Sequence, residues 1–429
     1  MPVQKTKRTT RTPRKTVARP PSPPVSLADD LARFRAFGTR TRRLTTYALG
    51  GAQLAVPTFV NEFWTAKQRA ASNLHEISYR ACFKPQLPRF FIGRLTQPGE
   101  VVYDPFMGRG TTLIEAALMG RVPYGNDVNP LSITLARPRT NPPEQKTVVQ
   151  RLGEIDFQDA GEQPEDLLIF YHADTLREIS ALKKYLIMRR ENHQLDHVDE
   201  WIAMVALNRL TGHSPGFFSV YTMPPNQAVS VKSQRKINER RQQVPTYRDV
   251  AKIILKKSNQ LLKELERETL AMLASVAAQS RFTTATADAT HELPAGSVAL
   301  VVTSPPFLDI VDYATDNWLR CWFLGIDSQS VKITVPKQLE VWSDVMTNVF
   351  RELHRLLKPG GHIAFEVGEV KHGKVKLEEA VISCGLTAGL EPLLVMINDQ
   401  EFTKTANCWG VDNNAKGTNT NRIVVFRKS

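Results

Sequence analysis

The chain has 429 residues, with 56 Lys and Arg against 43 Asp and Glu, a formal charge of +13 and 42% apolar residues. This length excludes a peptide hormone or a small disulfide scaffold, and no apolar run approaches the roughly 18 residues that a membrane helix needs. The basic excess favours an anionic partner such as nucleic acid.

Residues 1–24 form a basic, proline-rich segment that contains seven Lys and Arg residues and no acid. Such a composition cannot bury enough apolar area to order itself. Two interpretations stay open: a disordered, solvated leader, or a tail that adds electrostatic affinity for a polyanion. The segment lacks the apolar stretch of a secretory signal, so we expect an intracellular, reducing compartment.

The four cysteines are far apart and lie in no paired spacing, so neither a disulfide framework nor a zinc site is indicated. We expect reduced core thiols and no bound metal. The four are Cys82, Cys321, Cys384 and Cys408.

Residues 25–70 are predicted to be helical, because Leu27, Leu31 and Phe34 follow helical spacing. From residue 101 the sequence predicts a short apolar strand, then a glycine turn and an amphipathic helix. A second strand over 123–127 ends in an acid. Strand, helix and strand in this order predict a βαβ unit with parallel strands.

Residues 131–280 break this rhythm with several predicted helices, over 176–186, 198–210 and 250–262, and are expected to form a helical insertion domain. Between residues 205 and 260 there are ten basic and two acidic residues. The α/β texture then resumes with a strand over 297–302, a helix over 345–357 and a strand over 362–367. A closing strand pair is predicted over 391–397 and 422–427.

The glycine turn after the first strand is a candidate ligand site, because Gly108 and Gly110 have no Cβ to keep a ligand from the backbone. The acid after the second strand, Asp127, is placed to accept hydrogen bonds from ribose hydroxyls. The pair indicates an adenosine-type cofactor. Thr111 stands where a phosphate-binding loop needs lysine, and Leu113 where a dinucleotide fingerprint needs a third glycine. A tight turn without ligand stays an alternative.

The run Ser304-Pro305-Pro306-Phe307 ends the predicted strand that would lie beside the first strand, at the edge where open α/β sheets hold ligands. Two prolines remove backbone donors and leave carbonyl acceptors beside the Ser304 hydroxyl. Such a site suits an amino group: acceptors at Ser304 and the Pro305 carbonyl would stabilise the positive charge that develops on a base amine as a methyl group arrives. Phe307 would offer a face for base stacking. A rigid turn with an aromatic plug is the structural alternative.

Several segments together resemble the S-adenosylmethionine-dependent DNA amino-methyltransferases, which methylate cytosine N4 or adenine N6. The resemblance covers most of the chain from about His75 onward, except the basic insertion. Its segments are His75 through Phe83-Lys84-Pro85-Gln86-Leu87-Pro88, Asp104-Pro105-Phe106-Met107-Gly108-Arg109-Gly110-Thr111-Thr112, Gly125-Asn126-Asp127-Val128-Asn129-Pro130, Asp288 with 293–302, Thr303-Ser304-Pro305-Pro306-Phe307, Asp312-Tyr313, Leu357-Lys358-Pro359-Gly360-Gly361 and Asn421-Arg422-Ile423-Val424-Val425-Phe426.

The resemblance implies a Rossmann-like class I methyltransferase fold, a doubly wound, mostly parallel seven-stranded sheet with helices on both faces. It implies S-adenosyl-L-methionine as cofactor and a catalytic motif at Ser304, Pro305, Pro306 and Phe307. The residues that it implies for the cofactor are Lys84, Pro85, Asp104, Phe106, Gly108, Gly110, Thr111, Thr112, Asp127, Asn129, Asp288 and Thr303. Arg109 departs from the small residue usual between the glycines, so its side chain must point away from the cofactor or toward phosphate.

In this family a Ser-Pro-Pro motif usually accompanies cytosine N4, which favours a site-specific cytosine-N4 methyltransferase acting on double-stranded DNA in restriction-modification. Adenine N6, an RNA base amine, and a DNA-binding protein with a vestigial cofactor site are the alternatives. A cognate restriction endonuclease is a candidate partner, and a prokaryotic, nucleoid-associated cytoplasmic location is expected. The expected DNA contacts, as opposed to a charged solvated helix face, lie next to Phe217, Phe218 and Tyr221 and are Lys232, Arg235, Lys236, Arg240 and Arg241.

Overall fold

The computed structural model describes residues 26–49, 54–65, 71–79, 83–223, 229–306, 313–327, 336, 338–368, 376–399 and 420–429. The predictions for the basic segment 1–24 and for Cys82, Phe307, Asp312 and Cys408 lie outside these residues. The two cysteines within the described residues, Cys321 and Cys384, are buried free thiols. No helix in the described ranges has both the length and the apolarity that crossing a membrane requires.

The described chain forms thirteen α-helices and nine β-strands, with short 3₁₀ turns at 73–75 and 165–169. The strands are β1 (Arg42–Tyr47), β2 (Ala55–Asn61), β3 (Val101–Asp104), β4 (Val122–Asn126), β5 (Arg281–Thr283), β6 (Val298–Thr303), β7 (Leu357–Val367), β8 (Glu391–Asp399) and β9 (Thr420–Arg427). The helices are α1 (Leu27–Arg33), α2 (Gln86–Leu95), α3 (Thr111–Leu118), α4 (Leu131–Thr140), α5 (Gln145–Glu154), α6 (Ala173–Glu191), α7 (His197–Leu207), α8 (Val231–Arg241), α9 (Val250–Leu262), α10 (Arg267–Ala277), α11 (Tyr313–Leu324), α12 (Leu339–Leu356) and α13 (Leu377–Thr387).

All nine strands join one sheet in the order β1-β2-β8-β9-β7-β6-β3-β4-β5. Five neighbouring pairs are parallel and three are antiparallel, two of them made by β9 with β7 and β8. The predicted mostly parallel, doubly wound sheet is therefore confirmed, with two strands more than the seven expected.

The extra strands are β1 and β2, which lie in the part of the chain predicted to be helical. In the described parts of 25–70, the helix prediction is correct only for α1. Strand β2 pairs in parallel with β8, and β1 closes the edge as an antiparallel partner of β2. Pairing with a strand more than 300 residues away overrides the local helical spacing.

The central strands are buried on both faces, which explains their nearly continuous apolar sequences. All six residues of β6 are buried. On one face the sheet packs with α12 and α13, through residues such as Trp342, Phe350 and Val381. On the other face it packs with α1, α2 and α3, through residues such as Leu31 and Phe91.

The helices between β4 and β5 confirm the predicted helical character of this region. Helices α6, α7 and α9 contain most of the three predicted stretches. Their apolar side chains share one core with α3 and α4, including Ile114, Leu135, Leu182 and Trp201. The insertion is thus packed directly on the helix that follows the glycine turn, and the proposed boundaries at residues 130 and 280 stay predictions.

Candidate active site

The carboxyl ends of four neighbouring strands meet at one edge of the sheet. Strands β4, β3, β6 and β7 are adjacent and parallel, so the residues at their ends lie side by side. Those ends carry Asp127, Asp104, Ser304 and Glu366 respectively. Open α/β sheets bind ligands at this edge, where the loops on the two sides of the sheet diverge.

The glycine turn between β3 and α3 needs both glycines, for different reasons. Gly110 has a φ of 79°, and a Cβ at this position would lie 2.5 Å from the Ala136 Cβ in α4. Gly108 has a φ of 48°, and a Cβ at this position would be in ordinary contact with the Phe106 carbonyl oxygen at 3.9 Å and with Tyr79 Cε1 at 4.0 Å. Gly110 therefore allows helix packing, whereas Gly108 is needed for its left-handed backbone conformation.

Asp127 follows β4 and is held by two backbone amides. Its Oδ2 accepts from the Gly108 N–H at 2.8 Å and its Oδ1 accepts from the Asn129 N–H at 2.9 Å. Burial raises the pKa of the Asp127 carboxyl, and the two amide hydrogen bonds oppose this. The Gly108 amide thus orients Asp127 rather than pointing freely at a ligand, and this hydrogen bond links the two motifs.

Asp104 joins the glycine-turn corner to the proline motif. It is 1% exposed, and its Oδ1 accepts from the Thr303 hydroxyl at 2.6 Å and from the Phe106 N–H at 3.1 Å. Burial raises the pKa of the Asp104 carboxyl to about 7, against the effect of these donors. Because Thr303 immediately precedes Ser304, the hydrogen bond brings the two predicted corners of the site together.

The raised pKa of Asp104 predicts a pH-dependent stability. Between about pH 4 and pH 7 the folded protein keeps a proton here that the unfolded chain loses, so the free energy of unfolding falls as the pH rises. Asparagine does not titrate, so the comparison of Asp104→Asn with the wild type isolates this effect. The free energy of unfolding of the variant minus that of the wild type should increase by about 2–3 kcal/mol from pH 5 to pH 8, at about 1.4 kcal/mol per pH unit below pH 7. Urea unfolding without cofactor measures this, and equal differences at both pH values would contradict it.

A tryptophan of α12 holds the proline motif in place by a hydrogen bond. The Trp342 Nε1–H of α12 donates to the Pro306 carbonyl at 3.2 Å, and Trp342 is fully buried. With the Pro306 carbonyl bound in this way, the Pro305 carbonyl and the Ser304 hydroxyl are the remaining acceptor candidates of the motif. Ser304 itself is half-buried.

Glu366 is a buried acid of the site that sequence reasoning missed. It lies near the end of β7 and is 6% exposed. Burial raises the pKa of the Glu366 carboxyl, opposed by hydrogen bonds from the side chains of Ser304 and Asn421. The Asn421 Nδ2–H donates to its Oε1 at 3.0 Å. The one signal in the sequence was an acid within the apolar run of residues 363–367.

The other predicted cofactor residues divide by exposure. Lys84, Phe106, Gly108 and Asp127 are half-buried, and Asp288, in the loop after β5, is exposed. One of the buried members, Thr112, donates to the Val302 carbonyl at 3.0 Å and so ties α3 to β6. The buried members are Pro85, Asp104, Gly110, Thr111, Thr112, Asn129 and Thr303. Their direct contact with a cofactor stays a prediction.

Arg109 points away from the open side of the turn, as expected from its length. Its Nη1–H donates to the Ile77 carbonyl at 3.3 Å and its Nε–H to the Thr111 hydroxyl at 3.4 Å. The neighbouring Arg139, which is fully buried, donates to the Leu74 carbonyl at 2.9 Å and to the Arg109 carbonyl. Through these hydrogen bonds to the Ile77 and Leu74 carbonyls, the two arginines hold residues 71–79 against the glycine turn.

The predicted DNA-contacting residues lie on α8, whose exposed face is strongly basic. Four basic residues and one acid recur at helical spacing, and all are exposed: Lys232, Arg235, Lys236, Glu239 and Arg240. Arg241 instead stacks on the Tyr221 ring, with its Cζ 3.8 Å from the ring centroid. The Trp318 Nε1–H of α11 donates to the Val229 carbonyl at 3.3 Å, so α8 begins next to the helix that follows the proline motif.

The opposite face of α8 is fixed by amide side chains. Gln234, its one fully buried residue, donates to the Tyr221 carbonyl at 3.1 Å and to the Asn238 side chain at 2.7 Å. Asn238 in turn donates to the Ile169 carbonyl at 2.8 Å. Hydrogen bonds rather than a broad apolar face therefore set the position of the basic stripe.

The structure corrects the simple charge count of this region. Arg248 donates to the carbonyls of Ser214, Phe217 and Ser219, and Arg209 stacks on the Phe217 ring with its Cζ 4.0 Å from the centroid. These cations are internal. Phe217 and Phe218 are 5% and 1% exposed, so neither ring is available to contact DNA beside the basic residues.

The edge carries groups that suit the adenosine part of a cofactor. The Asp127 carboxylate can accept from a ribose diol, and the half-buried Phe106 offers an apolar contact. Asp104 and Thr303, joined by their hydrogen bond, lie on the neighbouring strands β3 and β6.

Residues 45–137 match the family model described as DNA methylase. The segment runs from β1 to α4 and contains the glycine turn and Asp127, but not Ser304. Two curated type II methyltransferases are similar over parts of the chain. M.MvaI of Kocuria varians is 32% identical over 29% of this chain and 24% of its own length; M.MjaII of Methanocaldococcus jannaschii is 33% identical over 21% and 16%. The matched segments thus span about a quarter or less of these relatives.

Among solved structures, a candidate DNA modification methylase of Thermus thermophilus, in complex with S-adenosyl-L-methionine, is 26% identical over 32% of this chain and 50% of that chain, with a TM-score of 0.20. Geranyl diphosphate C-methyltransferase of Streptomyces coelicolor is 8% identical over 81% and 79%, with a TM-score of 0.32. At these TM-scores neither structure bears on the function of this chain.

Proposed function

We propose, from the premise that the chain belongs to the DNA amino-methyltransferase family, that it transfers a methyl group from S-adenosyl-L-methionine to cytosine N4 in double-stranded DNA. One observation carries this proposal. The hydrogen bond from Thr303 to Asp104, 2.6 Å long, joins the glycine-turn corner to the residue that precedes Ser304. A group held at one corner can therefore reach a nucleophile held at the other.

When bound, S-adenosyl-L-methionine supplies an electrophilic methyl group on a sulfonium sulfur. The base amine is a weak nucleophile because its lone pair is delocalised into the ring. Ser304 Oγ and the Pro305 carbonyl accept its two N–H groups, hold the nitrogen near sp³ geometry, and stabilise the positive charge that develops there. The prolines leave no N–H at this position that would repel the amine.

Glu366 orients the Ser304 hydroxyl. The carboxylate accepts the hydroxyl proton, so the lone pairs of Ser304 Oγ remain available to the amine. Burial raises the pKa of Glu366, which also suits it to take up the proton that the methylated nitrogen releases, passed through Ser304. Phe307 would stack on the target base, which must leave the duplex at a cost of a few kcal/mol.

The choice of cytosine N4 over adenine N6 rests on the resemblance, because in the family that this chain resembles a Ser-Pro-Pro motif usually accompanies cytosine N4. The closing test is chemical: duplex DNA is incubated with the enzyme and methyl-labelled cofactor, digested to nucleosides, and analysed by mass. We expect labelled N4-methyldeoxycytidine. Labelled N6-methyldeoxyadenosine would overturn the assignment of the target base, and DNA without label would overturn the proposed activity.

The basic face of α8 is proposed to contact DNA phosphates. Its exposed stripe from Lys232 to Arg240 is about 12 Å long at 1.5 Å per residue, and α8 begins beside α11, which follows the catalytic motif. A short recognition sequence and a cognate endonuclease in restriction-modification complete the proposal. Phosphate contacts position the enzyme, whereas base reading requires further side chains.

The phosphate contacts predict a change in salt dependence. Replacing Arg235 and Arg240 with glutamine keeps helix propensity and removes two charges. We expect weaker DNA binding, with the slope of log K against log salt concentration reduced by about 2, or about 1 per contact. Fluorescence anisotropy across a salt series measures the slope.

The matched control removes two exposed lysines from α9 of the same insertion, as Lys252→Gln with Lys256→Gln. It subtracts the same net charge but leaves α8 intact. An equal change of slope in both double variants would mean that α8 has no specific role in DNA binding.

A further inference from the structure

The Asn126 side chain joins the end of β4 to two other segments of the site, the loop after β3 and the loop after β5. It is the last residue of β4, directly before Asp127, and it is fully buried. Its Nδ2 donates to the Pro105 carbonyl at 3.2 Å and to the Ala285 carbonyl at 2.9 Å. Its Oδ1 accepts from the Thr283 hydroxyl at 2.8 Å and from the Ala285 N–H at 3.1 Å.

These four hydrogen bonds use every donor and acceptor position of the amide. The Asn126 backbone carbonyl also accepts from the Met107 N–H at 3.0 Å, and the Asp127 N–H donates to the Thr283 carbonyl at 3.3 Å. The segments so joined are the loop that leads into the glycine turn, the end of β4, and the loop after β5. No other residue type of this size has both a double donor and a double acceptor.

We propose that Asn126 is a positioning residue for the adenosine half of the cofactor site. The inference rests on the proposed function, because the three segments that it joins are those that carry Phe106, Asp127 and Asp288. Strands β4 and β5 pair over only three residues, so the loop after β5 needs a further support. The amide of Asn126 supplies this support and fixes the distance between Asp127 and the loop that leads to Asp288.

The arrangement predicts a loss of affinity rather than a loss of chemistry. Removing the side chain leaves the Pro105 and Ala285 carbonyls without their donor, so the loops relax away from one another. Asn126 does not reach Ser304 or Glu366, and the transfer step should be preserved once the cofactor is bound. A merely structural asparagine would lower stability without this selectivity.

The test is calorimetric titration with S-adenosyl-L-homocysteine, together with KM and kcat and a thermal unfolding midpoint for the cofactor-free protein. For Asn126→Ala we expect a Kd raised about 10- to 100-fold, which corresponds to about 1–3 kcal/mol for unsatisfied buried polar groups. KM for S-adenosyl-L-methionine should rise in parallel, while kcat at saturation stays within about threefold, since binding rather than the transition state is affected.

Asn398 provides a matched control within the same sheet. It too is a fully buried asparagine, in β8, and its Oδ1 accepts from the Phe63 N–H at 2.7 Å and the Trp64 N–H at 3.2 Å. Strand β8 is separated from β3 by three strands. Asn398→Ala should lower the unfolding midpoint yet leave the Kd unchanged.

Thr283→Val keeps the side-chain shape and removes one donor to Asn126, so it decides the question if Asn126→Ala does not fold. We expect a rise in Kd of about 3- to 10-fold, as for one hydrogen bond, and no further rise when both substitutions are combined in a folded protein. An unchanged Kd in a folded Asn126→Ala or Thr283→Val variant overturns the inference. A wild-type protein that binds no S-adenosyl-L-homocysteine overturns the proposed function instead.

Discussion

Replacing Ser304 with alanine is expected to lower kcat for DNA methylation by about 10²- to 10³-fold, the usual cost of removing one group that stabilises transition-state charge. The physical reason is that Ser304 Oγ would accept an N–H of the target amine and pass its hydroxyl proton toward Glu366. Single-turnover kinetics at saturating cofactor and DNA measure the step directly. The Kd for S-adenosyl-L-homocysteine should stay within about threefold, because Ser304 contacts the amine rather than the adenosine.

Glu366→Gln separates the role of the charge from that of the shape. In the wild type, kcat should fall as the pH drops through the raised pKa of Glu366, since only the carboxylate accepts the hydroxyl proton. The glutamine variant should be slower, and its kcat should no longer fall at low pH.

The catalytic assignment of Ser304 would be wrong if a folded Ser304→Ala variant methylated DNA at the wild-type rate.

Asp127→Ala should weaken binding of S-adenosyl-L-homocysteine by about 100-fold or more, because two ribose hydroxyls would each lose a hydrogen bond to a charged acceptor worth about 1.5–3 kcal/mol. The carboxylate is already oriented by the Gly108 and Asn129 amides. Calorimetric titration measures the loss.

The control for Asp127 lies in the ligand, because the variant also loses the amide contacts within the turn. An analogue of S-adenosyl-L-homocysteine that lacks the ribose 2′ and 3′ hydroxyls should bind the wild type far more weakly than the parent compound does. The alanine variant should bind both compounds equally. Continued discrimination by the variant would place the ribose elsewhere.

Much of the sheet could be predicted because its central strands are buried on both faces. Strands β3, β4 and β6 are short apolar runs that end in a polar residue, and the order of the motifs then places Asp104, Asp127 and Ser304 at one edge. Strand β1 could not be found in this way. Its sequence is polar, and most of its residues are exposed at the sheet edge.

Local sequence also could not show which polar residues support the site. Glu366 lies in the apolar last part of β7, and its relation to Ser304 exists only because β6 pairs with β7 in the observed register. Trp342 reaches the Pro306 carbonyl from a helix more than thirty residues later in the chain. Both contacts depend on long-range pairing and packing rather than on spacing within a motif.

Counting charges located a basic excess in the insertion, but it could not separate internal cations from exposed ones. The cations of the insertion serve two purposes: Arg209 and Arg248 stabilise its interior, and the α8 stripe faces solvent. Composition cannot separate these roles, because an arginine that binds carbonyl groups and one that binds phosphate look alike in sequence. In the structure, the hydrogen bonds of Gln234 and Asn238 hold α8 so that its basic residues face solvent.

The account depends on one shared pocket between the glycine turn and the proline motif. A crystal structure of the protein with sinefungin, in which an amine-bearing carbon replaces the sulfonium group, tests this directly. We expect its ribose hydroxyls on Asp127 and its amine within about 6 Å of Ser304 Oγ, the span of one hydrogen bond and one methyl transfer. A ribose bound away from Asp127, or an amine directed away from Ser304, would contradict the account.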